Sequence, residues 1–427
     1  MNRRRFVRRA AAAGLAAPLL GAGAASARTA SAAGLPEAVG SEAGATVYDG
    51  PLRGVAPITV TGVRADDVGA ARITKVETSA GVVGWGEADR AGAGPAIVSS
   101  IIESFEARVV GRELFDAERT FTDLYFNADD MGRGGLVTSA ISGIDLALWD
   151  ARGKVLGRPC YQLIGGAYRT RIPVYGSFSR DGGDRTPADM ARIAAAFVEQ
   201  GFLAVKARMD IRQYNVDPVD DPTFEVVAAI RSEIGMEFPL YVDANNGYSA
   251  SRAIEVGARL RDEFNVSVFE EPVGYTNYED HAEVADALDG IQIAAGEHEY
   301  TRWQFRDLIL RGRPDVVNPD LLRAGGLTEG RHIAALCSAF DLPIAVHSTR
   351  PTLGTAAHLH YVASLLRADR PQEHPELDKA ESLWDLFENR TAYADGHVAV
   401  PEAPGLGLIV REGAIEAAAR AYADRRR

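Results

Sequence analysis

The sequence has little cysteine, no excess of positive charge and few long apolar runs. Only two cysteines, Cys160 and Cys337, occur in 427 residues, which excludes a small scaffold held by disulfides. They could pair in an oxidising compartment, but their separation in sequence says nothing about their distance in space. We expect buried free thiols. Lys and Arg number 46 against 59 Asp and Glu, a formal net charge of −13. Nucleic-acid binding needs a basic excess that displaces counterions, so we expect a small-molecule partner.

The N-terminal segment, residues 1–32, has the layout of a secretory signal peptide. An uncharged, Ala-rich stretch and two small-residue cleavage sites, Ala25-Ser26-Ala27 and Ala30-Ser31-Ala32, follow five arginines. The arginine run resembles a twin-arginine leader, which directs the export of folded proteins. We therefore expect cleavage and a periplasmic or extracellular protein. No later uncharged run approaches the ~20 apolar residues that span a bilayer, so no membrane partner is expected after cleavage.

Residues 44–165 are predicted to form an α+β domain. Residues 73–78 alternate as in a strand, Ser79-Ala-Gly81 is a turn signal, and residues 82–87 form a second strand candidate. From Pro95 to Leu156 the apolar residues recur at helical spacing.

Residues 166–400 repeat a different unit, a short apolar strand followed by an amphipathic helix. Helices are predicted at residues 188–200, 250–264 and 328–340, and a last strand near Gln372. The seven preceding strand candidates are residues 172–175, 203–206, 240–243, 266–270, 291–297, 316–320 and 344–347. Their regular spacing, one strand and one helix per repeat, indicates a closed parallel α/β barrel.

Ionisable residues end almost every strand candidate, where barrel enzymes carry their chemistry. Asp243, Glu270 and Glu297 are equally spaced along the chain, one strand–helix unit apart, which would bring three carboxylates into one pocket. All three stay ionised only beside a cation, and hard oxygen ligands suit Mg²⁺. The sequence therefore predicts one Mg²⁺ site.

Two further pairs follow the same logic. Lys206 and Arg208 are two positions apart on a strand, so they share a face, and the barrel mouth is favoured because a carboxylate substrate would pair with them there. Asp320 and His347 repeat the spacing of the three carboxylates. An Asp beside a His orients the ring and raises its basicity, which predicts a general acid/base pair.

Several motifs resemble the enolase superfamily, mandelate racemase subgroup. They are Leu240-Tyr-Val-Asp-Ala-Asn-Asn, Phe269-Glu-Glu-Pro, Ala295-Gly-Glu-His-Glu-Tyr-Thr-Arg, Asn318-Pro-Asp-Leu-Leu-Arg-Ala-Gly-Gly-Leu-Thr-Glu, Gly84-Trp-Gly-Glu and Gly143-Ile-Asp-Leu-Ala-Leu-Trp-Asp. The resemblance covers essentially everything after the leader. It implies an α/β fold in which a modified (β/α)7β TIM-type barrel carries an N-terminal α+β capping domain. Residues 401–427 are expected to return to that cap.

The resemblance also implies roles for individual residues. Asp243, Glu270 and Glu297 match the Mg²⁺ ligands. Asp320 and His347 match the acid/base dyad. Glu373 matches an acid that hydrogen-bonds the substrate carboxylate, and we expect Asn245 and His298 to bind substrate as well.

The sequence departs from the family pattern at Arg208. The usual motif is Lys-x-Lys, whose second lysine is one of two opposed bases. A guanidinium is rarely a base near neutral pH, which puts racemisation in doubt. Elimination needs only one dyad, and residues 296–306 look like sugar-acid dehydratases of the rhamnonate type.

We therefore expect a Mg²⁺-dependent dehydratase of an aldonic or aldaric acid. Its path would be α-proton abstraction, a metal-stabilised enediolate and loss of the β-hydroxyl to a 2-keto-3-deoxy acid, with Lys206 and Arg208 adding electrostatic stabilisation. The alternatives are a racemase or epimerase of a 2-hydroxy or amino carboxylate, and an exported carboxylate-binding protein with a degenerate site. We also expect a homo-oligomer. Two cap segments are candidates for substrate specificity: residues 49–69, with Arg53 and Arg64, and residues 127–135, with Asp129 and Arg133.

Overall fold

The N-terminal domain is a three-stranded antiparallel sheet packed against helices. The computed structural model describes residues 57–69, 71–89, 95–375 and 381–425, so the predicted signal peptide at residues 1–32 lies outside the described residues. The strands are β1 (Val60–Val68), β2 (Ala71–Thr78) and β3 (Val83–Ala88). The helices are α1 (Pro95–Ser104), α2 (Glu106–Val109), α3 (Ala117–Phe126), α4 (Leu136–Leu156) and α5 (Cys160–Leu163).

Two glycines let β3 lie directly on α4. A Cβ at Gly84 would overlap the carbonyl oxygen of Ala147, and one at Gly86 would overlap that of Gly143. The side chains of α4 are buried from Val137 to Gly153, since this helix contacts both the sheet and the barrel. The Gly-Trp-Gly sequence of β3 therefore sets the distance between sheet and helix.

The second domain is a parallel barrel. Its strands are β4 (Arg171–Ser179), β5 (Val205–Arg208), β6 (Leu240–Asp243), β7 (Val268–Glu270), β8 (Gln292–Ala295), β9 (Val316–Val317) and β10 (Gln372–Pro375). Strands β4 to β9 pair in chain order, and β10 pairs in parallel with β4. In this register Arg208 lies opposite Asp243, and Asp243 lies opposite Glu270. The ends of neighbouring strands therefore carry their ionisable side chains to one edge of the barrel.

The prediction of a full seventh strand at residues 344–347 is wrong. Only a single bridge, between Val317 and Ile344, is formed there. On the β10 side a side chain replaces the backbone ladder, because the amide of Gln372 accepts from the Val346 N–H at 2.9 Å and donates to the Ile344 carbonyl at 3.1 Å. The segment is buried, but it is not a regular strand.

The helices around the barrel begin close to where the sequence predicts them. Thr186 forms a capping box with Asp189 at the start of α6, and Ser249 caps α8. These helices are α6 (Pro187–Glu199), α7 (Thr223–Ile234), α8 (Ala250–Phe264), α9 (Tyr278–Ala287), α10 (Thr301–Asp307), α11 (Leu321–Ala324), α12 (Gly326–Ala339) and α13 (Leu353–Ala363). Among the described residues, no helix is long and apolar enough to cross a membrane.

The C-terminal part adds elements that the sequence pattern did not indicate. A short hairpin, β11 (Tyr393–Ala394) and β12 (His397–Ala399), pairs antiparallel with β4. Two helices, α14 (Glu381–Trp384) and α15 (Glu412–Asp424), complete the chain. Glu412 at the start of α15 pairs with Lys75 of the cap at 2.6 Å. Both cysteines are buried and free, as expected.

Candidate active site

Three carboxylates meet at the ends of β6, β7 and β8. Oxygen atoms of Asp243, Glu270 and Glu297 lie within 4.8 Å of one another, and each residue is at most 6% exposed. Each follows or ends a short, buried apolar strand. The predicted cluster is therefore assembled by the strand register.

The donor set fits a hard divalent cation. Burial raises the pKa of Asp243 to about 6 and that of Glu270 well above its usual range. Without a neutralising charge these carboxylates cannot all stay ionised at neutral pH. Three buried oxygen donors within mutual reach are the ligands that Mg²⁺ accepts, with waters or substrate oxygens completing its shell. Asp243, Glu270 and Glu297 are the residues that would hold it.

Lys206 already supplies one positive charge to this cluster. Its ammonium lies 2.6 Å from Glu270, 2.9 Å from Glu373 and 4.0 Å from Asp243, and its side chain is 1% exposed. Burial lowers the pKa of Lys206, but Glu270 and Glu373 raise it more, to well above its usual value. Glu373 also accepts from the Ser348 N–H at 2.7 Å. Lys206 is therefore a fixed cation between Glu270 of the carboxylate cluster and Glu373 of β10.

Arg208 lies at the rim of the same cluster. Its Nε is 3.7 Å from Asp243, and one Nη is 3.5 Å from Asp210. Burial lowers the pKa of Arg208, but the charges of Asp243 and Glu297 outweigh it and the net shift is upward. The side chain therefore remains a guanidinium cation, a group that is rarely a base near neutral pH.

Asp320 and His347 form the predicted pair. His347 Nδ1 lies 2.8 Å from Asp320 Oδ2, and its Nε2 lies 3.3 Å from Glu297 Oε2. Burial raises the pKa of Asp320, but the hydrogen bond from His347 holds it well below its usual range. Burial lowers the pKa of His347, and Glu297 then raises it to a net upward shift. Glu297 belongs to the carboxylate cluster. A cation that neutralised its charge would remove the largest influence that raises the pKa of His347.

The other two predicted substrate-binding residues also lie at strand ends. Asn245 donates from its backbone and side-chain nitrogens to Asp243 at 2.7 and 2.9 Å, which orients that carboxylate. His298 Nδ1 lies 2.6 Å from Glu271, and its ring stacks on Tyr275 with centroids 4.7 Å apart. Burial lowers the pKa of His298, but Glu271 raises it more, to about 9. His298 is 25% exposed, so part of its ring is open beside the cluster.

Sequence reasoning missed the contacts that join the cap to the site. Arg323, within a motif quoted above but given no role, lies 3.1 Å from Asp89 of the cap. Glu87, at the end of β3, is fully buried and accepts from the Gly354 N–H at 2.9 Å. The Gly-Trp-Gly-Glu motif was a signal for this contact, because a charged residue closing an apolar strand needs a partner.

Arg64, in a cap segment that is a candidate for specificity, pairs with the C-terminal helix. It lies 3.1 Å from both Glu412 and Glu416. These partners are on α15, so Arg64 attaches that helix to β1.

Family models match most of the chain. Residues 52–165 match the mandelate racemase / muconate lactonizing enzyme N-terminal domain, and residues 189–414 match the enolase C-terminal domain-like family. The chain belongs to the enolase superfamily. Its fold, a capping domain on a (β/α) barrel, is the fold of that family.

Individual superfamily members resemble the chain over most of its length. It is 30% identical over 348 residues to an arabinonate dehydratase of Saccharolobus solfataricus, covering 80% of this chain and 89% of that protein. It is also 30% identical to a D-galactarolactone cycloisomerase of Agrobacterium fabrum, covering 80% and 89%. A crystal structure of a mandelate racemase/muconate lactonizing protein from Paracoccus denitrificans, complexed with magnesium, matches with a TM-score of 0.77 and 33% identity, covering 84% and 98%.

Proposed function

We propose that this enzyme is a Mg²⁺-dependent hydro-lyase that dehydrates an aldonic or aldaric acid to a 2-keto-3-deoxy acid. One observation carries the proposal. The imidazole of His347, oriented by Asp320 at 2.8 Å, borders the carboxylate cluster at 3.3 Å, whereas Arg208, the cation that ends β5, is no base. One base suffices for elimination, and racemisation needs two.

His347 is the group that moves protons. It removes the proton α to the substrate carboxylate, and the electrons of that C–H bond enter the adjoining C–C bond to give an enolate. The β C–O bond then breaks, and the imidazolium protonates the departing hydroxyl so that water leaves. The enol product tautomerises to the 2-keto-3-deoxy acid. Asp320 holds Nδ1, so Nε2, which lies 3.3 Å from Glu297, is the nitrogen that makes both transfers.

The charges around the substrate stabilise the enolate. Mg²⁺ in the carboxylate site would neutralise the negative charge that develops on the substrate oxygens. Lys206 and Arg208 add two fixed positive charges from β5, of which Lys206 is 1% exposed. Glu373, Asn245 and His298 surround this space, and we assign them to substrate binding and orientation.

The isomerase alternative keeps one specific observation in its favour. A cycloisomerase of a sugar-acid lactone is as similar to the chain as the dehydratase named above. An isomerase would share His347 as base and return the proton to carbon instead of expelling water. Keto-acid formation therefore separates the two functions.

We also propose that the protein is exported. The support is the arginine-rich, uncharged and small-residue sequence of residues 1–32. N-terminal sequencing of protein secreted by the native host is expected to begin between Arg28 and Gly34. An intact leader on exported protein would contradict cleavage.

A panel of aldonic and aldaric acids tests the enzymatic proposal. With Mg²⁺, at least one acid is expected to give a 2-keto-3-deoxy acid, detected as its semicarbazone, and chelation is expected to abolish the reaction. Turnover in excess chelator would contradict the metal assignment. Epimerised acid without keto acid would favour the isomerase.

A further inference from the structure

Arg323 lies among three carboxylates that come from three different parts of the molecule. Its side chain is 17% exposed and approaches Asp89 of the cap at 3.1 Å, Asp320 of the dyad at 3.6 Å and Glu297 of the metal cluster at 3.6 Å. It also donates to the backbone carbonyl of Glu297 at 2.9 Å. One guanidinium thus connects the cap, the dyad and the metal cluster.

Two of these carboxylates are the two neighbours of the His347 ring. Asp320 Oδ2 holds Nδ1, and Glu297 Oε2 lies beside Nε2. The Arg323 Nε approaches the same oxygen of Asp320 that His347 binds. At these ion-pair distances the guanidinium attracts both carboxylates, and its hydrogen bond to the Glu297 carbonyl fixes its own position. Both effects limit rotation of the carboxylates and therefore of the imidazole between them.

The third carboxylate ties this arrangement to the cap. Asp89 is 3% exposed, its backbone N–H donates to the Leu322 carbonyl at 3.3 Å, and its second oxygen lies 3.0 Å from Arg350. Asp89 directly follows β3. The end of a cap strand therefore fixes the guanidinium that touches the dyad.

We propose, on the basis of the function assigned above, that Arg323 is a positioning residue that orients the Asp320–His347 dyad, and that Asp89 of the cap holds it in place. Arg323 does not bind substrate or exchange protons. It acts on the His347 ring through Asp320, so its loss lowers the rate of α-proton removal, while Asp243, Glu270 and Glu297 still hold the metal.

Arg350 provides a matched control. It pairs with the same Asp89 at 3.0 Å, but Arg323 alone of the two is within 4.0 Å of Asp320 and Glu297 among the described ion pairs. In Arg323→Gln, kcat for dehydration is expected to fall ~10–100-fold, the usual range for residues behind catalytic ligands. In Arg350→Gln, kcat is expected to fall by less than half as much on a logarithmic scale. Arg323→Lys keeps the charge without the fork and should recover kcat only in part.

Mg²⁺ titration by calorimetry separates the dyad from the metal. Arg323→Gln removes a positive charge 3.6 Å from Glu297, and that charge would repel a bound cation. The variant is therefore expected to bind Mg²⁺ at one site with affinity equal to or above wild type. If affinity and kcat fall together, Arg323 serves the metal ligand and the proposal is overturned. Equal kcat losses in the Arg323 and Arg350 variants would overturn it as well, since the shared contact to Asp89 would then explain both.

A substrate-free measurement keeps this inference distinct from the proposed function. In histidine-selective ¹⁵N spectra, the His347 resonances are assigned by their loss in His347→Asn. The Nδ1 signal is expected to shift in Arg323→Gln and to stay near its wild-type position in Arg350→Gln. An unmoved signal in Arg323→Gln refutes the positioning role even if no acid sugar is turned over, whereas a shifted signal with no turnover refutes only the substrate assignment.

Discussion

Replacing Lys206 by methionine removes a cation that is 1% exposed and lies 2.6 Å from Glu270 of the carboxylate cluster. The methionine keeps most of the apolar stem of the lysine, so the change acts mainly through charge. Glu270 at 2.6 Å and Glu373 at 2.9 Å lose their partner together. Both are at most 3% exposed, so water does not replace the ammonium.

The expected loss follows from that burial. Breaking a buried ion pair by removing one partner costs about 3–5 kcal/mol, because the remaining charge stays unpaired. The free energy of unfolding of metal-free Lys206→Met is therefore expected to fall by this amount in urea titrations at pH 7. Mg²⁺ neutralises Glu270 in place of the ammonium, so saturating Mg²⁺ is expected to stabilise the variant more than the wild type.

Lys75 is a matched control for this effect. It is also buried and pairs with Glu77 and Glu412, each at 2.6 Å, but these partners are 50% and 41% exposed. Its loss leaves solvated carboxylates, so Lys75→Met is expected to cost ~1 kcal/mol or less with no Mg²⁺ dependence. Equal losses in the two variants, insensitive to Mg²⁺, would refute a buried carboxylate site that needs positive charge.

Two further predictions concern stability away from the site. Gly86→Ala is expected to lower the free energy of unfolding in urea by ~1–3 kcal/mol, because its Cβ would overlap the backbone of α4. Gly413→Ala, with no atom within 4 Å of its Cβ, should be neutral or stabilising. Equal effects of the two changes would contradict the close packing of β3. Burial lowers the pKa of His281 from 6.5 to about 4. Between these two values the unfolded chain binds a proton at this residue and the folded protein does not, so stability falls as the pH drops from 6.5 towards 4. The expected loss between pH 7 and pH 5 is about 2 kcal/mol, and the pH dependence should shrink by this amount in His281→Leu; an unchanged dependence would contradict it.

The carboxylate cluster was predictable because the spacing of its residues along the chain reflects the repeating unit of the barrel. Asp243, Glu270 and Glu297 recur at equal intervals, and parallel strands in register bring equivalent positions to one edge. Asp320 and His347 have the same spacing and lie 2.8 Å apart. Residues fixed by the local repeat are therefore visible in the sequence.

The rest depends on contacts between distant segments. The seventh strand keeps backbone hydrogen bonds to β9, but on the β10 side the Gln372 side chain replaces its ladder. Nothing in the sequence of residues 344–347 indicates this replacement. Arg323 and Asp89 are 234 residues apart, so neither marks the other in the sequence. Arg64 was named as part of a cap segment that could set specificity, and its pairing with α15 could not be read from the sequence. Pairings of this kind follow from how cap and barrel pack.

Incubation of the acid sugar in D₂O with Mg²⁺ tests the central claim most directly, when wild type and His347→Asn are compared by NMR. The wild type is expected to convert the acid to a 2-keto-3-deoxy acid. His347→Asn is expected to lose both keto-acid formation and α-deuterium exchange by several orders of magnitude, since base and acid catalysis are each worth ~10²–10⁴. Deuterium exchange that persists in His347→Asn, or that yields recovered acid and its epimer without keto acid, would contradict a single-dyad dehydratase.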